Sequence, residues 1–542
     1  MKEWFRRRTI GMLPAQAARR WGRNEALAFN GQRWTYAQFD VEVDRVARAL
    51  IGAGVAPGER VAVWMTNRPE FLYLFYAICK VGAVFVPLNT RYRTLDLSHG
   101  LRQCGCATFI TVERSGPIDY LDMAREVLGE VDVGADGLLR SSTCPDLRRV
   151  VVFEQGALPG ALSWTTFMQG ATDAADGELE RRAAAVDPDA AALIIYTSGT
   201  TGKPKGVMLS HIGIRLMSER AAALGLTSSD VCLNNLPLFH IYSLGNIALH
   251  SIVTGARQVV TETFDAEQSL RLIESERVTM LSGFDTHYRD LIHQKARLPA
   301  IDTSSLRVGH FGAGLKNVEE LAHEIQRKLC PTVGAYGMTE CWGAVSHSFL
   351  DATLDQRTQA SGYPLPDVEL RVVDPQTGLD LQPGEQGEIL IRSYTNMLGY
   401  YRQPEATAQT IDGEGWIHSG DAGILRTDGH LRFTGRYKDM LKVGGDNVSP
   451  AEVEHLLLQM PGISEAAVIG CPDLRLHEVV AAFVVTATDA QIGLPEVDAF
   501  CRGKIASFKI PRRVVVVDAL PLTPSGKVQK QLLRDRLREI SD

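Results

Sequence analysis

The sequence predicts an α/β fold in two parts: a large N-terminal domain of layered sheets and helices, residues 1–437, and a small α+β C-terminal domain, residues 438–542. Three observations predict it. Helical patterns alternate with short apolar runs from Thr35 onward, the mark of largely parallel strands joined by helices. An apolar strand pattern from Ala191 to Tyr196 runs straight into a loop of Gly, Thr and Lys, the place where open α/β sheets bind ligands. Beyond Tyr437 lie about a hundred residues of mixed strand and helix pattern, the size of an independent unit.

Each element has a local reason. Thr35-Tyr-Ala-Gln38 is a capping box ahead of a helix whose apolar positions Val43, Val46, Ala47, Leu50 and Ile51 recur at helical spacing. Gly52 and Gly54 stop it, and Arg60 to Trp64 reads as a strand. The run from Phe71 to Leu88 is apolar enough to need a membrane check. Lys80 in its middle and Pro87 near its end split it into a helix to Lys80 and a strand from Ala83 to Val86, a buried unit rather than a span. A further strand reads from Thr108 to Val112. Between Gln155 and Ala190 Ala, Gly and Asp prevail, predicting surface connection with a short helix around Glu178 to Ala185. In the C-terminal part, Ser449-Pro-Ala-Glu452 is a second capping box ahead of Val453, Leu456, Leu457 and Met460. Short apolar runs follow from Glu478 to Thr486 and from Arg513 to Val517, separated by a helix-like stretch from Pro495 to Ile505.

Composition excludes several classes. With 45% hydrophobic and 22% charged residues in 542, neither wholesale disorder nor a membrane bundle fits. A net charge of −7 argues against a broad nucleic-acid footprint. Nine cysteines are few, and the one close pair, Cys104 and Cys106, lacks zinc-site spacing. They read as reduced thiols of a cytoplasmic protein. The N-terminus is basic but has no apolar run of secretory-signal length behind it.

The most informative string is Tyr196-Thr-Ser-Gly-Thr-Thr-Gly-Lys-Pro-Lys-Gly206. Gly199, Gly202 and Gly206 let backbone N–H groups converge on an anion. Thr197, Ser198, Thr200 and Thr201 add hydroxyls, and Lys203 and Lys205 add charge. These are the parts of a polyphosphate cradle. It is not a Walker loop, because Pro204 follows Gly202-Lys203 where a magnesium-binding Ser or Thr belongs.

This string resembles the phosphate-loop signature of the adenylate-forming superfamily, which includes acyl- and aryl-CoA synthetases, nonribosomal adenylation domains and beetle luciferases. The resemblance runs from about Thr35 to Lys530 through motifs in the expected order. Leu236-Pro-Leu-Phe-His240 resembles the motif beside the carboxylate substrate. Gly312-Ala313-Gly314-Leu315 is similar to the adenine-pocket turn. Tyr336-Gly337-Met338-Thr339-Glu340 matches the adenine-stacking and magnesium motif. Ser419-Gly-Asp421 and Gly435-Arg436-Tyr-Lys438-Asp439 match the ribose and hinge motifs, and Pro524-Ser-Gly-Lys527 the catalytic-lysine loop. Taken singly, His240 could be a core histidine, Tyr336 packing, Asp421 a turn residue and Lys527 a solvated lysine; the ordering favours the joint reading.

The resemblance implies a role for each. ATP would sit with its β and γ phosphates on Lys203, Lys205 and the loop amides, its adenine on Tyr336, and its ribose hydroxyls on Asp421 with Arg436. Thr339 would bond the α-phosphate and Glu340 would hold Mg²⁺. Lys527 would place its ammonium between the attacking carboxylate and the α-phosphate. The C-terminal domain is mobile in this family, turning about Lys438 to bring Gly444 and Gly445 to the pantetheine arm of CoA. Asp446 stands where Glu is commoner. The implied activity is an ATP-dependent ligase that converts a carboxylic acid to acyl-AMP and then to a CoA thioester.

The resemblance also places the acid beside His240, Phe284, Gly312, Gly337, Met338 and Trp342. Trp342 is unusual after Thr339-Glu340-Cys341 and is expected to set acyl size. Asp285 reads as a helix N-cap before Tyr288. No Lys or Arg obviously enters the pocket, so a hydrophobic monocarboxylic acid, fatty, aryl or bulky, is expected. An acyl carrier protein in place of CoA stays open, as do a freestanding amino-acid adenylation enzyme and a luciferase-like oxygenase. A non-catalytic nucleotide-binding relic is disfavoured because Lys527, Glu340 and Asp421 are all present. No Gly-x-Ser-x-Gly elbow supports a serine hydrolase. Oligomeric state, a homodimer included, is not legible.

Overall fold

The structure is a computed structural model that describes residues 7–153, 158–172, 176–197, 204–314, 319–436, 441–448, 450–487, 492–521 and 528–541. The chain divides into two compact units. The first comprises Met1–Thr90, Leu101–Ile195 and Gly206–Gly435; the second comprises Arg91–Gly100, Tyr196–Lys205 and Arg436–Asp542.

The first unit contains two large sheets with parallel centres. In the nine-stranded sheet, Glu25–Phe29, Arg257–Val260, Val231–Asn234, Met280–Ser282, Val308–Phe311 and Thr332–Met338 run parallel in that spatial order. Gln32–Thr35 closes one edge antiparallel, and Gly343–His347 and Tyr363–Pro364 close the other. Helices Ala266–Ser275, Asp285–Arg297 and Glu319–Lys328 bury Leu270, Ile273, Leu291, Leu321 and Ile325 against it in one core. A second core on this sheet joins Ala221 and Ile247 to Met280, Val308 and Val333. Burial from both sides is why these strands read as apolar runs rather than alternations.

The eight-stranded sheet orders Leu162–Ser163, Arg149–Val152, Thr108–Thr111, Arg60–Trp64, Val84–Pro87, Ala191–Thr197, Lys205–Ser210 and Gly399–Tyr400. Its flanking helices follow the expected local logic. Thr35 and Gln38 form the reciprocal capping box of helix Tyr36–Gly52, at 3.2 and 2.8 Å. Helix Pro69–Lys80 is buried along its whole length, with the Lys80 ammonium paired to Asp44. Among the described residues no helix is long and apolar enough to cross a membrane. A four-stranded antiparallel sheet completes the unit: Val368–Val373, Gln386–Ser393, Ile417–Leu425 and Leu431–Arg436.

The stretch expected to be surface connection carries more structure than its composition shows. Leu162–Ser163 pairs with Arg149–Val152 as an edge strand, and helix Trp164–Gln169 follows, capped by Ser163. Trp164 stacks on Phe153 at 4.1 Å, so two aromatics supply an anchor that no periodic pattern announces.

The second unit is α+β. One sheet orders Asp446–Val448, Leu441–Val443, His477–Thr486 and Ile463–Asp473, with Arg513–Val516 parallel to His477–Thr486. Alternate residues of the long strand pair face different cores. Val468, Val480, Ala482 and Val484 pack with Val453, Leu456, Leu457 and Val497 of helices Pro450–Leu457 and Leu494–Cys501. Ala467, Ile469, Ala481 and Phe483 pack with Leu533 and Leu537 of helix Lys530–Ser541. Strand Ile463–Asp473 is not among the expected elements: its apolar stretch 466–469 is short and is followed by Gly470 and Pro472, and pairing with His477–Thr486 extends it. Ser449 of the second expected capping box lies outside the described residues, and Glu452 gives its carboxylate to Lys509 instead.

Candidate active site

Within the first unit the candidate site is built where strand Thr332–Met338 ends. Tyr336 pairs with Ser346 across the antiparallel ladder. A Cβ on Gly337 would lie 1.9 Å from the Gly343 carbonyl oxygen, so this glycine serves the close approach of the two strands. A tight turn, Thr339–Cys341, follows, and Trp342 reverses the chain at φ 64°, a conformation costly for a bulky side chain. Two bonds pin the turn: Met397 N–H donates to the Glu340 carbonyl at 2.7 Å and Thr395 Oγ1 to that of Cys341 at 3.2 Å. The Glu340 carboxylate is buried, and Tyr400 donates its hydroxyl to Oε1 at 2.8 Å.

Asp421 comes from strand Ile417–Leu425. The Tyr336 hydroxyl donates to Asp421 Oδ2 at 2.9 Å, and the Asp421 N–H donates to Ser419 Oγ at 3.0 Å. Burial, reinforced by the Asp421 charge, holds the Tyr336 phenol well above its ordinary pKa, so it stays a donor. Phe433 stacks against the Tyr336 ring at 5.6 Å. The turn after strand Val308–Phe311 has two glycines with opposite reasons. A Cβ on Gly314, at φ 123°, would strike Ser361 Oγ at 2.3 Å, whereas one on Gly312 would meet nothing within 4 Å. Ser361 ties the parts together, donating to the Ala313 carbonyl at 2.7 Å and accepting from Phe433 N–H at 2.9 Å. An aromatic face, a buried carboxylate and open glycine backbone therefore belong to one hydrogen-bonded frame.

Among the residues expected beside the acid, His240 caps the short helix Ile241–Ser243 through Nδ1, which accepts from Tyr242 N–H at 3.1 Å. Its half-buried ring meets Phe284 edge-on at 5.8 Å. Asp285 is not an N-cap: Phe284 holds that position and Asp285 is the first helical residue, where its charge complements the helix dipole. Trp342 is buried, with its ring seated where a Cβ on Gly213 would lie only 2.4 Å away, so a glycine makes room for the large residue. One cation lies against these segments from within the core. Arg220, fully buried, donates to the Asn246 side-chain oxygen and to the Trp342 carbonyl at 3.0 Å.

Of the remaining expected residues all but Leu315 belong to the second unit. Ser198, Gly199, Thr200, Thr201, Gly202, Lys203, Leu315, Lys438 and Lys527 lie outside the described residues, as does the side chain of Arg436, which ends strand Leu431–Arg436. Thr197 ends strand Ala191–Thr197 and Lys205 opens strand Lys205–Ser210, the two borders of the glycine loop. Gly444 and Gly445, at φ 59° and 88°, form the two-residue turn between strands Leu441–Val443 and Asp446–Val448, the geometry of a hairpin that needs positive φ twice. Asp446 pairs with Arg91 at 2.5 Å.

Sequence reasoning missed Tyr400, Ser361, Phe433 and Arg220, and also Lys509. That lysine, 3% exposed, reaches Glu452 at 2.5 Å and Asp96 at 3.0 Å. Lys509→Met strands two buried carboxylates and is expected to destabilise the second unit by about 3–5 kcal/mol. A lower urea midpoint shows it, with partial recovery on adding Asp96→Asn and Glu452→Gln.

Comparison with known proteins follows the same outline. Residues 14–401 match the AMP-binding enzyme family and residues 452–527 match the AMP-binding enzyme C-terminal domain. The chain belongs to the AMP-binding enzyme family. It is 37% identical, over 97% of this chain and 99% of the relative, to a Mycobacterium tuberculosis CoA ligase for a methyl-dioxo-octahydroindenyl propanoic acid. It is 31% identical to the mitochondrial medium-chain acyl-CoA ligase of Danio rerio, over 97% of this chain and 88% of that one. Among solved structures, a variant of o-succinylbenzoate CoA synthetase from Bacillus subtilis superposes with TM-score 0.77 at 25% identity, covering 97% and 98% of the two chains.

Proposed function

We propose that the frame around Tyr336, Asp421 and Glu340 binds ATP for activation of a carboxylic acid, and that the protein is an AMP-forming acyl-CoA synthetase. The observation that carries this is the hydrogen-bonded set Tyr336–Asp421 and Tyr400–Glu340, set beside the open backbone of Gly312. The relatives act on a ring-bearing propanoic acid and on medium-chain acids, which supports a small-molecule carboxylic acid and CoA as substrates here.

The chemistry needs positioning and charge neutralisation more than nucleophile activation. A carboxylate oxygen attacks the α-phosphorus, the bond to the β-phosphate oxygen breaks, and pyrophosphate leaves. The CoA sulfur then attacks the acyl carbonyl carbon, AMP departs, and the thiol proton goes to solvent. In the first step Lys203 and Lys205 hold the leaving phosphates, Thr339 bonds the α-phosphate, and Lys527 bridges the two reacting anions. His240 and Phe284 flank the acid, and Asp421, with Arg436, holds the ribose. In the second step a turn about Lys438 brings Gly444 and Gly445 to the pantetheine arm.

Glu340 suits Mg²⁺: it is a buried carboxylate whose orientation Tyr400 fixes, an oxygen donor of the kind this hard cation takes. The ion would neutralise phosphate charge. Tyr400→Phe is expected to weaken Mg²⁺ affinity by roughly 10- to 100-fold, the usual effect of losing an orienting bond to a ligand, read as a higher half-saturating Mg²⁺ in titrations of pyrophosphate exchange. All nine cysteines are unpaired and buried, which supports a reducing compartment such as the cytoplasm.

The deciding experiment is ATP–pyrophosphate exchange over a panel of carboxylic acids, followed by thioester detection with CoA and, separately, with an acyl carrier protein. Exchange with no acid at all would defeat the reading.

A further inference from the structure

Beside the acid-side residues the first unit buries an unusual polar group. Arg220, Asn246, His310, Trp342 and His347 are each 3% exposed or less. They are neighbours. Arg220 bonds Asn246 and the Trp342 carbonyl, His310 stacks on His347 at 5.1 Å, and Tyr242 links His310, at 2.8 Å from Nδ1, to Phe284, at 4.9 Å between rings.

Their hydrogen bonding is incomplete. Arg220 Nε, Asn246 Nδ2, His310 Nε2, Trp342 Nε1 and His347 Nε2 are buried without a partner. Folded proteins leave few such atoms, and each carries the penalty of lost hydration. Three of the five, on Arg220, Asn246 and Trp342, are obligate donors. Arg220 has no carboxylate among its hydrogen-bond or ion-pair partners within the described residues: they are the Asn246 amide, the Trp342 carbonyl and the Met217 sulfur. Burial lowers Arg220 to about 9, still protonated at neutral pH, and lowers His347 to about 4, so the group is a buried cation among neutral rings.

We infer that this group receives the far end of the acid, and that this end carries a hydrogen-bond-accepting oxygen, a carboxylate or an oxo group. The inference rests on the acid-activating reading above and narrows its substrate. Trp342 fits this role: at a strained φ of 64° its carbonyl accepts from the guanidinium, and its indole N–H is buried without a partner. A purely alkyl end would leave the three donors unpaired, which is how a site rejects an analogue lacking a polar group.

The test uses the full chain and pyrophosphate exchange with alkanoic, (ω−1)-oxo and α,ω-dicarboxylic acids matched in carbon count across a length series. At the best length one oxygenated arm is expected to exceed the alkanoate by about tenfold or more in kcat/KM. Which arm wins tells carboxylate from ketone. In Arg220→Met, or in Trp342→Phe where the ring stays and only the N–H is lost, that preference is expected to fall about tenfold. Alkanoates preferred throughout, or a preference unmoved in both variants, overturns the inference while leaving acid activation intact. Absence of exchange with every acid strikes the activity itself, a separate result.

Discussion

Replacing Lys527 with alanine is expected to cut acid-dependent pyrophosphate exchange by roughly 10²–10³-fold, the scale of removing one charge-stabilising donor from a reaction centre. The same variant is expected to convert a supplied acyl-adenylate and CoA to thioester at close to the normal rate. The asymmetry follows from charge. Adenylation brings a carboxylate against a phosphate, two anions whose approach an ammonium must relieve. Thioester formation attacks a neutral carbonyl carbon, and its leaving group is AMP, which the proposed ribose and adenine contacts would already accommodate. A lysine used only in the first step should therefore register in one partial reaction. Single-turnover assays of each half-reaction measure this directly. Equal loss in both would show that Lys527 acts on the shared nucleotide contacts, and the division of labour between the steps would fall with it.

How much of this was legible depended on whether a residue's role is local. Capping at Thr35 and Gln38 and the end of the apolar run at Lys80 depend on neighbours in sequence, and the structure reproduces both. The motif residues Tyr336, Glu340 and Asp421 were legible as residue types in order, but their partners were not. Tyr400 reaches Glu340 from 60 residues away, and Tyr336 reaches Asp421 from 85. Gly337 illustrates a different limit. It was expected among the ligand contacts, yet its lack of a side chain is already required by the Gly343 carbonyl. Arg220 was illegible for a third reason. Next to Glu219 on helix Gly213–Ala223 it looks like an ordinary surface charge, but Glu219 pairs with Arg215, and Arg220 turns inward alone. Both neighbours are buried, but helical phase separates them by about 100°, so Glu219 meets Arg215 and the Tyr394 hydroxyl while Arg220 meets Asn246 and the Trp342 carbonyl.

Asp421→Ala carries the second large effect, on ATP rather than on the acid. Its carboxylate is expected to accept from both ribose hydroxyls, and hydrogen bonds to a charged partner contribute about 1.5–3 kcal/mol each. Loss of both raises the KM for ATP by roughly 10²–10⁴-fold, from about 3–6 kcal/mol in total. Tyr336 sharpens the assignment because it donates to Oδ2 of the same carboxylate and so fixes its rotamer. Tyr336→Phe keeps the aromatic face and removes only that bond, so its cost should be near tenfold, from about 1.5 kcal/mol. Ribose analogues separate contact from packing. The wild-type protein should discriminate against 2′-deoxy-ATP and 3′-deoxy-ATP, Tyr336→Phe should discriminate less, and Asp421→Ala should keep only the part that Arg436 supplies. If Asp421→Ala keeps the full wild-type preference for ATP over both deoxy analogues, the carboxylate does not touch the sugar, and its buried bond to Tyr336 is architecture alone.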